Sequence, residues 1–358
     1  MIDYEILRLI WWLFIGVLLV GFAIMDGQDM GVGSLLPFLG KNDTDRRCMI
    51  NSVAPHWDGN QVWLLTGGGA IFAAWPLLYG AAFSGFYWAM LIVLLALILR
   101  PVGFDFRGKM AGTRWRNTWD WALFVGSAVP PIIFGVAFGN LLQGVPFHFD
   151  ESLRPFYTGS FFGLLNPFGL LCGVVSLLMI VFHGANYLVL RTDGDLQRRA
   201  MSISTISGVA TAALFILGGI WTYFGIDGMV VSAGLDPAGP SNPLLKTIDI
   251  AAGAWFTNFS NYPVLWLVPV LAVLGEMLLG IILTPLLSMF PFIMPSSSDP
   301  RSSLTIWDCT SSQLTLEVML FVTLLLLPLV LIYTGWAYRT MSGKLNAEYI
   351  RKNDHDLY

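Results

Sequence analysis

His56 and Asp58 lie in a stretch rich in polar residues, 51–61, directly before a long apolar run. That run, residues 62–99, contains no charged residue. An imidazole and a carboxylate are costly to place at the mouth of an apolar segment, so in membrane proteins such groups indicate a path for ions or protons, or a contact with a ligand. These two residues are therefore our first candidates for proton transfer.

Further ionisable residues lie at the ends of neighbouring apolar runs. Asp26 and Asp29 close the first run, Arg100 ends the third, and Asp105 and Asp120 follow it. Asp26 and Asp29 are three positions apart and share a helix face if the helix continues that far. Arg100 can serve as their counter-ion. If all of these residues lie on one side of a membrane, they form an acidic cluster suited to proton uptake.

Several of these residues also have a plainer interpretation. Asp58 and Asp120 can be ordinary helix N-caps, because aspartate is common at that position. Arg100 can extend its guanidinium to the membrane surface while its aliphatic stem stays in apolar surroundings. Spacing alone leaves these alternatives open.

Composition indicates the fold class. The chain has 358 residues, of which 56% are hydrophobic and 12% charged, against about 25% charged in soluble domains. Apolar runs of about 20 residues predict an all-α polytopic membrane protein forming a single integral membrane domain over 1–358. The predicted spans are 8–28, 52–75, 80–100, 120–142, 160–183, 201–225 and 314–338, with an ambiguous stretch at 262–294.

The distribution of basic residues predicts the orientation. Fifteen of the 19 Lys and Arg residues lie in 41–47, 100–116, 191–199 and 339–352. Short loops rich in Lys and Arg remain in the cytoplasm. We therefore expect an external N-terminus, a cytoplasmic C-terminus, and external segments at 143–159 and 226–261.

The stretch 262–294 conflicts with this orientation. An external N-terminus and a cytoplasmic C-terminus require an odd number of spans. With the seven other predicted spans, the total is about nine if this stretch supplies two. Its 33 residues cannot hold two spans of about 20 residues each, and Glu276 is a lone carboxylate within apolar surroundings. We expect that a segment is missing between Gly275 and Glu276. The alternative is a genuine deletion with altered topology.

Histidine positions do not predict a haem or metal site in this chain. The four histidines are scattered, so no pair has ligand spacing on one helix; they are His56, His148, His183 and His355. His183 could ligate a haem only if a partner residue faced it, and an interfacial histidine is the plainer interpretation.

The chain resembles subunit II of the cytochrome bd-type quinol oxidases nearly end to end. The strings Asp-Gly-x-Asp-Met-Gly at 26–31 and His-Trp-Asp-Gly-Asn-Gln-Val-Trp at 56–63 are specific together. Other similar segments are 1–5, 11–12, 72–76, 100–101, 104–105, 114–116, 119–120, 139–146, 289–292 and 294–295. Family members have a longer stretch before 289–292, with two full spans and a basic loop, so the resemblance also implies missing residues near Gly275.

The resemblance implies a partner, subunit I, that carries haems b and d and the external quinol-oxidising loop. It implies that a quinol such as ubiquinol is oxidised and O₂ reduced to water, with protons drawn from the cytoplasm across a bacterial inner membrane. Subunit II of some members holds a quinone and contributes an acidic residue to proton entry, which by position is Asp58. Small single-span subunits and membrane lipid are further expected partners, and nucleic acid is not.

The residues themselves leave two other functions open. A proton-coupled transporter should place ionisable groups near the bilayer midplane between repeats, whereas this chain places them at the predicted cytoplasmic edge. A purely structural subunit would tolerate Asp58→Asn with normal turnover. An accessory subunit that feeds protons to a respiratory enzyme fits the pattern best.

Overall fold

A computed structural model describes residues 2–275 and 277–352. The chain is mostly helical, as predicted. Its helices are α1 (Tyr4–Leu39), α2 (Asp43–Val53), α3 (Trp57–Ala74), α4 (Pro76–Gly85), α5 (Tyr87–Arg107), α6 (Thr113–Gln143), α7 (Pro167–Arg191), α8 (Gly194–Gly225), α9 (Thr257–Asn261), α10 (Leu267–Leu274), α11 (Met277–Met289), α12 (Gln313–Thr340) and α13 (Ala347–Lys352). The strands are β1 (Phe147–Phe149), β2 (Pro155–Tyr157), β3 (Asp227–Ala233), β4 (Thr247–Ala252), β5 (Phe292–Met294) and β6 (Leu304–Thr305).

Six of the described helices are single segments long and apolar enough to cross a membrane: α1, α5, α6, α7, α8 and α12. Two bent helix pairs raise the number to eight if each counts as one span. One pair is α3 with α4, bent by 120°, and the other runs from Ala254–Asn261 into Pro263–Leu274, bent by 111°. The described residues therefore contain fewer spans than the nine expected.

The bundle is built around α1 and α7, which pack against each other and against α6. Their close approach depends on two glycines: a Cβ atom on Gly31 would lie 2.7 Å from the Cα atom of Gly184. Small residues allow helix backbones to approach in this way within membranes. Helix α1 continues to Leu39 instead of ending at residue 28, and Asp26 and Asp29 are buried within it.

The four basic segments meet at one end of the bundle, which we call the basic face. Arg107, at the end of α5, pairs with Asp43 at the start of α2, with 2.9 Å between nitrogen and oxygen. Arg199 of α8 pairs with Asp45 of α2 at 2.6 Å. Arg191, at the end of α7, donates to the Met341 carbonyl after α12 at 3.0 Å. The short helix α2, which the hydropathy pattern does not reveal, thus lies on this face.

The opposite end of the bundle, which we call the sheet face, carries three two-stranded antiparallel sheets, β1–β2, β3–β4 and β5–β6. Near the start of α1, Arg8 is fully buried and donates to the Thr310 hydroxyl at 2.9 Å and the Pro237 carbonyl at 2.5 Å. Lys246 and Asp308 form a buried ion pair at 2.7 Å. The first turns of α1 and the segment after α12 therefore lie at opposite faces.

The stretch 262–294 forms a helical hairpin that does not cross. Helices α10 and α11 meet at Gly275, whose φ is 155°. Their 8 and 13 residues correspond to about 12 and 20 Å, against about 30 Å for the hydrocarbon core. Asn258, before α10, donates to the Phe290 carbonyl after α11 at 2.7 Å, so both ends of the hairpin lie together.

The hairpin also removes the conflict between the predicted orientation and the number of spans. Helix α3 has 18 residues, about 27 Å, and runs from the basic face to the sheet face, where Ser311 donates to the Ala74 carbonyl at 2.8 Å. With α3, seven of the described helices connect the two faces, an odd number, and a hairpin adds no crossing. One unbroken helix over 262–290 would contradict a segment missing after Gly275, and the described residues form two separate helices there instead. Glu276 lies outside the described residues.

Candidate functional site

A fully buried ion pair joins α1 and α5. Arg100 donates from Nη1 to Oδ2 of Asp26 at 2.8 Å and from Nη2 to Oδ1 at 2.5 Å, and neither side chain is exposed. A bidentate pair of this kind is both strong and geometrically specific. Arg100 is thus held inside the bundle as the partner of Asp26, and the alternative in which it extends to the membrane surface is wrong.

One helical turn further, Asp29 belongs to a second buried group. Asn60 of α3 donates from Nδ2 to Oδ2 of Asp29 at 2.7 Å. Tyr338 of α12 donates to Oδ1 of Asn60 at 3.0 Å and accepts from Nε2 of Gln28 at 2.7 Å. We call Gln28, Asp29, Asn60 and Tyr338 the Asp29 cluster. Within the described part of the chain, Oδ1 of Asp29 is buried and has no hydrogen-bond partner.

His56 lies against this cluster at the start of α3. Its ring stacks on that of Tyr338, with ring centroids 4.0 Å apart and an angle of 6° between the planes. Burial lowers the pKa of the imidazole, and the positive charge of Arg191 lowers it further. The folded chain therefore favours the neutral form of His56.

Asp58 does not join these buried groups, contrary to expectation. Its side chain is exposed and, among the residues that the structure describes, makes no hydrogen bond or ion pair. The reason is helical geometry: residues advance by about 100° each, so Asp58 points about 200° away from Asn60. His56, without a side-chain hydrogen bond, is the N-cap of α3, so Asp58 is not a cap either. Asp105 is also exposed and lacks a described partner.

Asp120 belongs to a third group that links two connections at the basic face. It is buried, and it accepts from Nε of Arg107 at 2.5 Å and from Nη1 of Arg46 at 2.7 Å. Asp43 joins the same network through Arg107, at 2.9 Å, and Arg116, at 2.6 Å. Because α6 begins at Thr113, Asp120 lies inside the helix and is not its N-cap. The single acidic cluster that the sequence predicted is therefore divided among three buried groups, and Asp58 and Asp105 lie exposed outside them.

A cavity of about 700 Å³ lies within the helix bundle, apart from these groups. Its walls come from α1, α6, α7, α8 and the α10–α11 hairpin, and they are mostly apolar, with Phe134, Met179 and Ile282 as examples. Two of its lining hydroxyls donate to backbone carbonyls, that of Thr284 to Gly280 at 2.7 Å and that of Ser288 to Trp255 at 2.6 Å. The cavity is thus suited to an apolar chain.

A family model described as cytochrome bd terminal oxidase subunit II matches residues 7–341. The chain belongs to this family. It is 56% identical to the cytochrome bd-I ubiquinol oxidase subunit 2 of Escherichia coli strain K12, over all of both chains. It is 52% identical to a probable cytochrome oxidase subunit 2 of Haemophilus influenzae, again over all of both chains, and 36% identical to the cytochrome bd ubiquinol oxidase subunit 2 of Bacillus subtilis, over 92% of this chain and 94% of that one.

A solved structure shares the fold of this subunit II. A chain of the bd oxidase from Geobacillus thermodenitrificans matches with a TM-score of 0.62 at 15% identity, covering 94% of this chain and 99% of that one. The protein is therefore a subunit of a quinol oxidase complex, and the transporter interpretation is not favoured.

The relatives also differ from this subunit II in length. The E. coli and H. influenzae alignments each run over 379 positions, about 21 more than the 358 residues of this chain. The difference is close to the length of one membrane span.

Sequence analysis missed several residues of the site. Tyr338 was not among the candidate residues, and Arg107 counted only as one of the basic residues in 100–116 that predict the orientation. The contact between Tyr338 and Asn60 joins positions 278 apart, and no spacing rule links residues so distant. Gln28 offered a weak signal, because it lies between the two aspartates of 26–29 and is polar within an apolar helix.

Proposed function

We propose that this subunit II passes protons from the basic face toward the haem-bearing subunit I, which consumes them when O₂ is reduced to water. The observation that carries the proposal is the buried Asp29 cluster at that face, with one carboxylate oxygen lacking a described partner. A buried carboxylate with an unfilled acceptor site gains from binding a proton, because an unpaired buried charge is costly.

Asp58 is the proposed entry residue. It is exposed at the basic face in the first turn of α3, so it can exchange protons with water. Its side chain points away from the bundle, so a proton bound there can pass to a neighbouring chain, while Asn60 on the inner side of the same helix contacts Asp29. Asp105 is exposed near the end of α5 and can share this surface role.

The remaining predicted residues have positioning roles in this proposal. Arg100 fixes Asp26 and so anchors the turn of α1 that carries Asp29. Asp120 accepts from two arginines, an arrangement that supports a role in holding the basic-face connections together. His56, stacked on Tyr338, positions that tyrosine against the start of α3.

The experiment is Asp58→Asn in the assembled oxidase, with quinol oxidation and haem content measured together. Asn has the same shape but cannot take up a proton. Because Asp58 makes no contact that the described fold depends on, we expect several-fold lower turnover with unchanged haem content. The matched control is Asp195→Asn, another exposed carboxylate at the basic face, which should turn over like the parent.

Two results would refute the entry role. Normal turnover of Asp58→Asn would make Asp58 dispensable for proton delivery. A parallel fall in turnover and haem content would show that Asp58 serves assembly with the partner instead.

The haems b and d of the complex are assigned to subunit I. Nε2 of His183 lies 2.8 Å from the Ile24 carbonyl, His56 stacks on Tyr338, and His148 stacks on Phe156; His355 lies outside the described residues. These surroundings support structural roles. His183→Ala should therefore leave the haem content of the complex unchanged, and loss of one haem would contradict the assignment.

The apolar cavity supports binding of a quinone or lipid within subunit II. Its walls fit an isoprenoid or acyl tail, since they are mostly apolar and the lining hydroxyls of Thr284 and Ser288 are already bonded to the backbone. Leu214 lines the cavity from α8, whereas Ile206 on the same helix is exposed elsewhere. Leu214→Trp should lower the quinone recovered per complex, and Ile206→Trp should not. Equal quinone content in both variants would argue against this site.

Relatives named as ubiquinol oxidase subunits support ubiquinol as the electron donor and the bacterial inner membrane as the location. The basic-loop rule supports a cytoplasmic basic face. Helix α12, with only Leu316 and Leu320 buried among its residues, leaves an apolar surface for subunit I or for small single-span subunits. Labelling of cysteines introduced at Lys344 and Asp236 from either side of the membrane tests the orientation.

A further inference from the structure

A small hollow of about 270 Å³ lies at the basic face, apart from the proton groups. It is enclosed by the connection from α1 to α2 and by the connection from α5 to α6. The side chains that matter for its chemistry are Lys41, Asp43, Arg46, Thr113, Arg116 and Asn117. Its volume corresponds to about nine water molecules at liquid density.

The hollow has an excess of positive charge. Lys41, Arg46 and Arg116 line it, and Asp43 is the one carboxylate among its lining residues. Asp43 is already paired with Arg116 at 2.6 Å. It is also paired at 2.9 Å with Arg107, which does not line the hollow. When Arg107 and its partner Asp120 are included, four cations face two carboxylates, which leaves two positive charges uncompensated within this network.

Two of the cations have donors without an acceptor. The Lys41 side chain is exposed and has no hydrogen bond or ion pair among the described residues. Nε of Arg116 is buried, yet it has no hydrogen-bond partner in the part of the chain described. A buried N–H group without an acceptor is costly. An anion with several acceptor oxygens would satisfy both of these donors.

We propose that this hollow binds the phosphate of an anionic membrane lipid. Arg and Lys are the side chains that bind phosphate oxygens, and basic pockets between membrane helices bind lipid head groups. A lipid is favoured over free phosphate by position. Phe38, three residues before Lys41, is 60% exposed and packs edge-on against Trp121, which is 51% exposed, with ring centroids 6.0 Å apart. Exposed aromatics of this kind lie at the membrane interface, where acyl chains begin.

The test compares lysine variants of the assembled oxidase in nanodiscs that contain equal amounts of phosphatidylglycerol and phosphatidylcholine. Native mass spectrometry counts the phosphatidylglycerol retained per complex. Lys41→Gln should lower retention of one such lipid about fivefold, the effect of losing one basic contact near a membrane surface. Lys41→Arg should restore it. Lys109→Gln, an exposed lysine of the α5–α6 connection that does not line the hollow, should retain lipid like the parent.

A second arm separates lipid from free phosphate. Radiolabelled inorganic phosphate is added to the complex in discs of phosphatidylcholine alone. Specific phosphate binding that Lys41→Gln abolishes would overturn the lipid assignment and make the ligand a soluble anion. Equal lipid retention by the parent and Lys41→Gln, or an equal loss in Lys109→Gln, would overturn the site itself.

Discussion

Arg100 donates a hydrogen bond to Asp26 from each terminal nitrogen of its guanidinium, and the two side chains are completely buried between α1 and α5. Removing two charges from water is expensive, so a pair like this contributes less net stability than its geometry suggests. Its value lies in specificity, because each partner can be buried only with the other in place. The pair therefore fixes the position of α1, which carries Asp29, relative to α5.

Asp26→Asn is expected to destabilise the subunit strongly. It leaves the Arg100 charge buried without a counter-charge, which costs about 3–5 kcal/mol. The double variant Asp26→Asn with Arg100→Gln removes both charges and should recover much of the loss. The measurement is the thermal midpoint of the assembled oxidase. Arg198→Gln breaks an exposed pair with Asp195 and should leave the midpoint unchanged. If the double variant lowers the thermal midpoint by the sum of the two single-variant losses, the two residues are not coupled.

Tyr338→Phe tests whether the Asp29 cluster works in proton transfer or only in packing. The change removes the hydroxyl that accepts from Gln28 and donates to Asn60, and unpaired buried polar groups cost about 1–3 kcal/mol. We expect a lower thermal midpoint together with turnover that falls more at high pH, where protons are scarce. Tyr333→Phe is the matched control, since Tyr333 is exposed on the same helix. A stability loss with an unaltered pH profile of turnover would limit the cluster to packing.

His56 should make the subunit less stable in acid. Burial lowers the pKa of His56 in the folded chain below the ordinary value of about 6.5 that it regains on unfolding. The unfolded chain then binds more protons between these two values, so stability rises with pH in this window. The contribution is fully present above about pH 6.5 and is lost as the pH falls toward the folded-state pKa.

The corresponding measurement is the thermal midpoint of the complex between pH 7.5 and 5.5. His56→Phe keeps a ring to stack on Tyr338 but cannot be protonated, so its midpoint should fall less on acidification than that of the parent. His148→Phe, at the sheet face, should follow the parent. If His56→Phe and the parent lose stability equally, the acid sensitivity arises elsewhere.

The approximate positions of the long apolar helices could be predicted from the sequence because hydrophobicity and basic loops depend on local composition. The gathering of basic segments at one face is an example: Arg107, Arg191 and Arg199 make contacts there. Which side of each helix faces inward depends on neighbours far away in the chain. Asp58 and Asn60 are two residues apart, yet one is exposed and the other buried beside Asp29.

The number of membrane crossings could not be settled from the sequence for a related reason. Counting crossings treats every apolar stretch as a span, whereas α10 and α11 turn back at Gly275. Hydropathy cannot distinguish a hairpin from a span, because both bury apolar side chains. The tail after α12 reaches the basic face without a contribution from this region, so parity alone does not require missing residues.

The hairpin nevertheless supports the proposal of a segment absent between Gly275 and Glu276. Alignments with two relatives are about 21 positions longer than this chain, and the two hairpin helices are both too short to cross. Added residues could extend both helices into full spans joined by a loop at the basic face. Inserting the corresponding residues of the E. coli relative after Gly275 should therefore raise the thermal midpoint of the complex. A cysteine in the inserted loop should be labelled only from the side that labels a cysteine at Lys344. If the insertion lowers the midpoint, or if the loop cysteine is labelled from the sheet face, the hairpin is the native form and the chain lacks nothing there.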